Sequence, residues 1–327
     1  MLFISAEEQA QLLDMSEIVE AVAESLRAYS EGKTDTPLRY SLPFNEDNRY
    51  LVMPALSDEL KIVGLKTVTV APNNTKIGKK TIVGSVILSD YETGETLAVL
   101  EGSYLTKIRT GAISGVATKY LAREDAKTLC VIGTGDQAEG LIKAVLAVRQ
   151  IDRIQFYNRT YEKAVTFAEE VQSEYPNLDL AVFDNVNEAI EDADVIVTAT
   201  NASEPVFHKR LAPGVHLNAV GSFKPDMQEL PSQTIADADK VVVEAVEAAM
   251  EETGDLINPV AEGVFKADGL YGELGNIVSA KLEGRLSEDE ITIFKSVGVA
   301  IVDIVVANYF YQKLLKQQNE SIKSDYH

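Results

Sequence analysis

The sequence TLCVIGTGDQA, residues 128–138, decides the fold of this chain. An apolar run typical of a buried strand leads into Gly133, and a helical pattern begins after Gly135. The first glycine allows a tight turn, and the second lets a pyrophosphate approach the backbone. The small Ala138 allows close helix–strand packing, and the free N–H groups of a helix N-terminus bind phosphates. Because strand and helix flank the glycines as the motif requires, the stretch predicts a dinucleotide-binding site; a tight turn that binds nothing is the alternative.

Short apolar runs alternate with helical segments in the region around this stretch. One helical pattern extends to Arg149, and a second covers Thr160–Glu174. Apolar runs that alternate with helices indicate a parallel sheet covered on both faces, so we predict an α/β fold with a Rossmann domain. The expected strands are TLCVIG, RIQFYN, LAVF, DVIVTAT, VHLNAVG and KVVVEA. The last strong pattern, Ile291–Lys316, predicts one long amphipathic helix.

The chain before the Rossmann pattern is organised differently. Two capping boxes predict two short helices near the N-terminus. Residues 49–101 contain short β-branched segments separated by turns, which predicts an antiparallel or mixed sheet, and a helix from about Tyr104 to Leu121 follows. We therefore expect an α+β domain over residues 1–122, completed by a C-terminal helix over about 300–327. The Rossmann domain is expected over residues 123–299.

Composition excludes several classes of protein. The 327 residues are 46% hydrophobic and 25% charged, which is typical of a packed globular protein. Thirty Lys and Arg residues against 51 Asp and Glu residues give a net charge of -21, and such a surface repels nucleic acids and anionic membranes. The single Cys130 cannot form an internal disulfide, and no apolar stretch approaches the ~20 residues of a membrane span. Since the N-terminus also lacks the basic region of a signal peptide, we expect a cytoplasmic protein without nucleic-acid or membrane partners.

The end of the second Rossmann strand bears on the choice of cofactor, because it reads Tyr157-Asn158-Arg159-Thr160. Sites selective for NAD(H) usually have an acidic residue here, which binds the ribose hydroxyls and would repel a 2′-phosphate. Arg159 would instead attract that phosphate, with Asn158 and Thr160 as hydrogen-bond donors. We therefore predict NADP(H) as the preferred cofactor and leave NAD(H) open. In the alternative interpretation, Arg159 is only an exposed residue at a helix start.

Two segments of this acidic chain, residues 60–89 and 102–123, contain basic residues but no acidic ones, which suggests a local anion site. In the predicted strand IVGLKTVTV, Lys66 shares a face with apolar residues. A buried lysine usually meets a carboxylate or takes part in proton chemistry; the alternative is that its side chain extends outward to solvent. Arg109 lies among small residues, which let another backbone or a ligand come close to its helix.

Short motifs spread over nearly the whole chain form a specific set. They are Thr36-Pro37-Leu38-Arg39, Val52-Met53-Pro54-Ala55, Gly64-Leu65-Lys66, the hairpin Asp90–Leu97, Arg109-Thr110-Gly111-Ala112 with Ser114, the glycine loop, Asn218-Ala219-Val220-Gly221, and Phe294-Lys295-Ser296-Val297-Gly298. Together they resemble the ornithine cyclodeaminase/mu-crystallin family of NAD(P)-dependent enzymes. Members of that family act at the α-carbon of an amino or imino acid and pass hydride to or from nicotinamide. The resemblance therefore implies an oxidoreductase with a small-molecule substrate.

The resemblance also implies roles for individual residues, with Lys66 and Arg109 as the catalytic pair. The substrate would be bound by Arg39, Lys66, Thr81, Arg109, Ser296 and Gly298. The phosphates and ribose of the cofactor would be held by Gly133, Thr134, Gly135, Asp136, Gln137, Asn158, Arg159 and Thr160. The nicotinamide would be flanked by Thr200, Asn201, Val220, Ser222 and Val297. A homodimer formed through the N-terminal unit, onto which the final helix packs back, is implied as well.

One position departs from the pattern of the cyclodeaminases in this family. They have an acidic residue two positions after the glycine that matches Gly221, where it can engage the reacting amine, and this chain has Phe223. A phenylalanine can neither bind an ammonium by charge nor take its proton; whether Asp226 reaches the site is left open. The form Ser-Phe-x-Pro more closely resembles imine-reducing members, especially bacterial Δ1-pyrroline-2-carboxylate reductases. The implied reaction is NAD(P)H-dependent reduction of Δ1-pyrroline-2-carboxylate to L-proline, with Δ1-piperideine-2-carboxylate, which gives L-pipecolate, as an open second substrate.

Two alternatives of different kinds stay open. The first is an ornithine cyclodeaminase or an alanine dehydrogenase, which would release ammonia from ornithine or alanine. The second is a non-catalytic NADP(H)-binding protein of the crystallin type, although the presence of Arg39, Lys66 and Arg109 together argues against it.

We predict no metal site, because the three histidines, His208, His216 and His327, show no ligand spacing. His216 is interpreted as a hydrogen-bonded strand residue rather than a catalytic acid. The acidic cluster Glu244, Glu247, Glu251, Glu252 and Asp255 is interpreted as a solvated helix face.

Overall fold

The computed structural model describes residues 1–324, without the side chains of Thr75 and residues 321–324. Its contacts divide the chain into two units, residues 1–109 with the chain from Val299 onward, and Thr110–Gly298. The first boundary falls inside a helix, whereas the sequence analysis places it after that helix. Within residues 1–324, no helix is long and apolar enough to cross a membrane. The last three residues of the expected C-terminal helix, which include His327, lie outside the described residues.

The first unit contains a six-stranded mixed sheet. Its elements are β1 (Leu2–Ile4), α1 (Ala6–Gln11), α2 (Met15–Ser30), β2 (Tyr40–Phe44), β3 (Asn48–Ser57), β4 (Ile62–Val70), β5 (Ile82–Ser89), β6 (Thr96–Glu101) and the start of α3 (Gly102–Leu121). The strand order is β1-β6-β5-β4-β3-β2; β1 is parallel to β6, and the other pairs are antiparallel. The two N-terminal helices and strands β3–β6 confirm the prediction, but the two edge strands were not predicted.

The second unit contains an eight-stranded parallel sheet in the order β13-β12-β14-β11-β10-β7-β8-β9. Its elements after α3 are β7 (Thr128–Ile132), α4 (Ala138–Val148), β8 (Arg153–Tyr157), α5 (Tyr161–Glu174), β9 (Asp179–Phe183), α6 (Val186–Ala189), β10 (Val195–Thr198), β11 (His216–Ala219), α7 (Ser232–Asp237), β12 (Lys240–Val243), α8 (Val246–Glu252), α9 (Gly254–Ala261), β13 (Gly272–Glu273), α10 (Leu274–Val278) and β14 (Thr292–Lys295). The last helix, α11 (Ala300–Ser324), belongs to the first unit. The six predicted strands and the predicted Rossmann fold are confirmed.

In the first unit, α11 packs against α2 and against strands β3, β4 and β5. Gly64 in β4 makes this close packing possible, because a Cβ atom there would lie 2.8 Å from Cδ1 of Ile304. The same helix turn carries Asp303, so this approach also determines where that carboxylate lies.

The parallel sheet of the second unit reverses its strand order between β7 and β10. From β7 the chain proceeds outward through β8 and β9, and it then returns to β10 on the other side of β7. In open α/β sheets, ligands bind outside the carboxyl ends of the strands at such a switch point. The turn after β7 begins at Gly133, so the fold places the predicted glycine loop at the switch point.

The prediction of one helix over Ile291–Lys316 is wrong in its first part. Thr292–Lys295 forms the buried strand β14 between β11 and β12, and α11 begins only at Ala300. Gly298 between them has a φ of 88°, a conformation that ends helical geometry. A short apolar run that is buried on both faces of a parallel sheet cannot be distinguished from a helix by periodicity.

The interpretation of the acidic cluster as a solvated face is wrong for two of its members. Glu244 follows β12 and Asp255 lies in α9, and both side chains are fully buried, whereas Glu247 and Glu251 are exposed. The charges of Glu244 and Asp255 are tolerated because backbone N–H groups and a lysine surround them, which sequence spacing alone does not show.

Close helix packing in the second unit leads to a stability prediction. A Cβ atom on Gly111 in α3 would overlap the carbonyl group of Gly140 in α4. Because neither backbone can move freely, Gly111→Ala is expected to lower the free energy of unfolding by about 1–3 kcal/mol. Denaturation with urea measures this change. Gly135→Ala is the control, since a Cβ atom there meets nothing within 4 Å; equal stability of the two variants would contradict the argument.

Candidate functional site

The glycine loop of the second unit has the geometry that its sequence predicts. Gly133 directly follows β7, has a φ of 95°, and donates its N–H to the Tyr157 carbonyl at 2.9 Å. A Cβ atom on Gly133 would lie 2.7 Å from the Ala199 carbonyl oxygen and 2.8 Å from Cγ2 of Thr200. Both its backbone conformation and its close contact with the end of β10 therefore require glycine.

The rest of the loop is open and has unused polar atoms. Gly135 and Asp136 are exposed, and a Cβ atom on Gly135 would meet nothing within 4 Å. Within residues 1–324, the buried Oγ1 of Thr134 and Oε1 of Gln137 have no hydrogen-bond partner. The N-terminus of α4 has no side-chain cap, and Ala138 N there donates to the Gly135 carbonyl at 3.0 Å. These features fit the pyrophosphate of a dinucleotide.

The segment after β8 adjoins the glycine loop. Oδ1 of Asn158 accepts a hydrogen bond from Thr134 N at 3.4 Å, and its Nδ2 donates to the Thr160 carbonyl at 2.9 Å. Arg159 and Thr160 are exposed at the start of α5. The structure therefore brings Asn158 to the loop and leaves Arg159 exposed next to it in the sequence.

The residues predicted to flank the nicotinamide lie at the carboxyl ends of three parallel strands. Thr200 and Asn201 follow β10, Val220 and Ser222 follow β11, and Val297 follows β14. The loops after β10 and β11 are joined by Glu229, whose buried carboxylate accepts hydrogen bonds from Thr200 and from Ser222 N.

Glu244 holds the turn that follows β14. Its Oε1 accepts hydrogen bonds from Ser296 Oγ at 3.0 Å, Val297 N at 2.7 Å and Gly298 N at 2.5 Å. The donors of Ser296 and Gly298 are thus engaged by a carboxylate of their own unit. Direct contact of these two residues with a substrate stays a prediction.

In the first unit, Lys66 lies in an apolar row across the sheet. Its neighbours in the strand register are Met53 and Val86, and all three residues are buried. The Lys66 ammonium forms an ion pair with Asp303 Oδ1 at 2.7 Å, and both side chains are almost fully removed from solvent. The expectation that a lysine at this position meets a carboxylate is confirmed.

Arg109 shares the same carboxylate. Its Nε lies 3.2 Å from Asp303 Oδ1, and its side chain is 11% exposed. Oδ2 of Asp303 is buried without a hydrogen-bond partner in the described part of the chain. One carboxylate oxygen therefore faces two cations, and the other is not used by the protein.

The electrostatic balance around Lys66 favours an additional anion. The pKa of Lys66 is lowered from 10.5 to about 8, chiefly by burial; charge repulsion from Arg109 and Arg39 acts in the same direction, and Asp303 opposes it. Two basic side chains, Lys66 and Arg109, thus share one carboxylate. The surplus of positive charge is what a bound carboxylate would neutralise.

The remaining predicted substrate residues are placed less closely. Arg39 precedes β2, is half-buried, and acts on Lys66 through its charge. Thr81 precedes β5, and its carbonyl accepts a hydrogen bond from Ala71 N at 2.7 Å. Lys66 pairs with Val86, five positions beyond Thr81, which corresponds to about 17 Å along the strand. The role of Thr81 stays a prediction.

Sequence reasoning missed three buried acids: Asp303, Glu229 and Glu244. Asp303 is the acidic residue in the first turn of α11, and it stands within an otherwise apolar stretch. An acid among apolar residues is a signal for a buried partner, and the isolated Lys66 could have been matched with it. No comparable signal identified Glu229, since it lies in an irregular loop.

His216 agrees with its interpretation as a strand residue. It is fully buried in β11, with Nδ1 2.9 Å from Thr292 Oγ1. Burial and the nearby guanidinium of Arg285 lower its pKa to about 3. A neutral imidazole of this kind has a structural role.

The fold and the glycine loop define the second unit as a Rossmann-type dinucleotide-binding domain. The profile of the ornithine cyclodeaminase/mu-crystallin family matches residues 1–318. This chain belongs to that family.

Individual relatives are similar over nearly the full chain. The Δ(1)-pyrroline-2-carboxylate reductase of Bacillus cereus is 58% identical over 318 residues, which cover 97% of this chain and 98% of the relative. The structure of Thermococcus litoralis Δ(1)-pyrroline-2-carboxylate reductase in complex with NADH and L-proline matches with a TM-score of 0.92 and 37% identity, covering 97% of this chain and 98% of that one. An archaeal alanine dehydrogenase dimer with bound NAD matches with a TM-score of 0.89 and 34% identity, covering 97% of each chain.

The lowered pKa of Lys66 predicts how stability depends on pH. The pKa of Lys66 is about 8 in the folded protein and 10.5, the ordinary lysine value, in the unfolded chain. Between these two pH values the unfolded state therefore binds more protons than the folded state. The free energy of unfolding is therefore expected to rise with pH from about 8 to 10.5. In Asp303→Asn the loss of the carboxylate lowers the pKa further, so the rise begins at lower pH.

Urea unfolding at a series of pH values measures this dependence. Lys66→Met is the control, since it keeps the apolar stem and removes the titrating group. If the parent and Lys66→Met show the same slope above pH 8, Lys66 is not the group responsible.

Proposed function

We propose that this protein reduces Δ1-pyrroline-2-carboxylate to L-proline with a nicotinamide dinucleotide. The observation that carries the proposal is the surplus of positive charge around Lys66, in a chain 58% identical to a named Δ(1)-pyrroline-2-carboxylate reductase. The substrate is an anion whose reacting C=N carbon is bonded directly to its carboxylate. A site that fixes the carboxylate therefore also fixes the reacting carbon.

The substrate carboxylate binds to the basic residues of the first unit. Arg109 presents a planar guanidinium suited to a carboxylate, and Arg39 adds a second one. Asp303 restrains both Lys66 and Arg109 through one oxygen, so these two cations are oriented before the substrate arrives. Preorganisation of this kind lowers the entropic cost of binding.

Lys66 is the residue that controls the proton. Below its pKa of about 8 the side chain is an ammonium with three N–H groups, and one of them is donated to Asp303. The others are available to the substrate, either to hold its carboxylate or to give one proton to the imine nitrogen, which leaves Lys66 as a neutral amine. A protonated imine is the better hydride acceptor, and the bound cofactor supplies the hydride.

The loop after β11 favours reduction of an imine over deamination. Phe223 is half-buried and cannot bind an amine by charge, and Asp226 is exposed. This chain therefore lacks the acidic residue that ornithine cyclodeaminases have at this position. The alanine dehydrogenase alternative is tested by measuring ammonia release from alanine. Six-membered Δ1-piperideine-2-carboxylate is compared as a second substrate for reduction.

The cofactor binds to the glycine loop of the second unit, and NADP(H) is the preferred form. Asn158 connects the loop to Thr160, and Arg159 is exposed beside them. The segment contains no acidic residue that would repel a 2′-phosphate. The first unit accordingly serves substrate binding, and the second serves cofactor binding. The cytoplasmic location expected from the sequence stays a prediction.

A homodimer forms through the first unit. The edge strand β2 is exposed over its whole length, and Tyr40, Leu42 and Phe44 alternate along it on one face. Tyr50 lies opposite Leu42 in β3 and is exposed as well. A cluster of large apolar side chains on an open sheet edge is typical of a protein–protein interface.

The function is tested by oxidation of NADPH and NADH with Δ1-pyrroline-2-carboxylate as substrate. The parent protein is expected to oxidise the cofactor and form L-proline, and Arg109→Ala is expected to lose about 10- to 150-fold in kcat/KM through weaker handling of the substrate. Binding of NADPH to Arg109→Ala is expected to be unchanged. Lys76→Ala, which removes an exposed charge of the same unit, is the control.

Two results would count against this assignment. Ammonia release from alanine or ornithine without imine reduction would indicate the alternative activity. An equal loss of NADPH affinity in Arg109→Ala would show that Arg109 does not act on the substrate.

Cofactor preference depends on Arg159. If its guanidinium meets the 2′-phosphate, Arg159→Ala is expected to weaken NADPH binding about 5- to 150-fold and leave NADH nearly unchanged. Asn158→Asp is expected to reverse the preference, because a carboxylate repels the phosphate and accepts the ribose hydroxyls. Affinities of both cofactors are compared in each variant, with the exposed Arg210→Ala as control. A parent protein without NADPH preference would make NAD(H) the assigned cofactor.

A further inference from the structure

Glu229 is the most extensively hydrogen-bonded buried carboxylate in the loops of the second unit. Its Oε1 accepts hydrogen bonds from Thr200 N at 2.7 Å and Thr200 Oγ1 at 2.8 Å. Its Oε2 accepts from Thr198 Oγ1 at 3.0 Å, Gly221 N at 2.7 Å and Ser222 N at 3.2 Å. One side chain thereby joins the segment that follows β10 to the segment that follows β11.

The two joined segments are in unusually close contact. A Cβ atom on Gly221 would overlap the backbone of Thr200 and lie 2.5 Å from Oε1 of Glu229. Glycine at this position is thus required by the carboxylate and by the neighbouring strand end. The Ser222 hydroxyl adds a further restraint, since it donates to the Met227 carbonyl at 2.6 Å.

A buried ion pair fixes Glu229 from behind. Asp255 Oδ1 accepts hydrogen bonds from Glu229 N at 2.7 Å and Leu230 N at 2.9 Å. Asp255 Oδ2 lies 3.0 Å from Lys295 Nζ, and both of these side chains are fully buried. Lys295 is the last residue of β14, so the restraint extends to a third strand end.

The pKa of Glu229 reflects several opposing influences. Burial raises this pKa, as does the nearby Asp255, whereas the positive charge of Lys295 and the hydrogen bonds from Thr200 act in the opposite direction. All five groups around the carboxylate donate hydrogen bonds to it. An ionised carboxylate can accept them on both oxygens, whereas the NH₂ group of a glutamine amide cannot accept any. Such an arrangement restrains backbone position more strictly than apolar packing, because every donor needs its acceptor.

We propose that Glu229 is a positioning residue for the nicotinamide end of the cofactor. It fixes Thr200 and Ser222, which the family resemblance predicts to lie beside the nicotinamide, through five hydrogen bonds to the ends of β10 and β11. This inference rests on the proposed function. Glu229 hydrogen-bonds neither the glycine loop nor Arg159 in the described residues. Because Thr200 lies against Gly133 of that loop, we expect a small effect at the phosphate end beside the main effect at the nicotinamide end.

The experiment compares the binding of NADH with that of ADP-ribose, which lacks the nicotinamide. It likewise compares NADPH with 2′-phospho-ADP-ribose, which lacks the nicotinamide of NADPH. Binding to parent and Glu229→Gln is measured by calorimetry. We expect Glu229→Gln to bind the complete cofactor about tenfold or more weakly, while affinity for the nicotinamide-free ligand falls much less. KM for the cofactor should rise in the same variant.

Asn258→Ala is the matched control for a purely structural effect. It removes a hydrogen bond of 2.7 Å from Asn258 Nδ2 to Gln228 Oε1 in the same loop region. Both variants are expected to unfold at a lower temperature than the parent. Only Glu229→Gln should weaken the complete cofactor more than the nicotinamide-free ligand. If Glu229→Gln loses affinity for both ligands by the same factor, the proposal is overturned.

Thr198→Val decides the question if Glu229→Gln does not fold. It is nearly isosteric and removes one buried donor to Glu229. A selective weakening of the complete cofactor supports the proposal, and unchanged ratios overturn it. Reduction of Δ1-pyrroline-2-carboxylate by the parent is measured separately, so that failure of the proposed function is distinguished from failure of this inference.

Discussion

The ion pair between Lys66 and Asp303 is the interaction on which the chemistry of the first unit depends. The two residues are 237 positions apart, and neither side chain has appreciable contact with solvent. An ammonium in this row would cost several kcal/mol if no carboxylate compensated it. Packing of α11 against β4 brings in the carboxylate that compensates this ammonium. Since the same carboxylate also faces Arg109, docking of the last helix and orientation of the basic residues are one structural event.

The second unit uses buried carboxylates for another purpose. Glu229 and Glu244 accept hydrogen bonds mainly from backbone N–H groups that the ends of parallel strands leave without partners. In the first unit a carboxylate balances side-chain cations, whereas in the second it organises loops. Both arrangements hold a negative charge away from water through several donors, and each fixes backbone where a ligand is proposed to bind.

The regular parts of this fold could be predicted from the sequence because their signals are local. The glycine loop at Gly133, the strands around it and the partner requirement of Lys66 all follow from short patterns. Strand β14 and the burial of Glu244 could not be predicted, because each depends on which strands lie next to each other. Asp303 shows the same limit: its residue type was visible, but its pairing with a strand far away in the sequence is a property of the folded chain.

Net charge and local charge act on different length scales in this protein. The chain has a net charge of -21, yet the proposed ligands are anions. Repulsion between an anion and exposed acidic residues is screened over about 8 Å at physiological ionic strength. The cations at Lys66 and Arg109 lie in a largely buried site, where screening is weaker and attraction at short range is stronger. Recognition of a substrate carboxylate is therefore governed by the arrangement of these few buried charges, and the acidic surface has little influence on it.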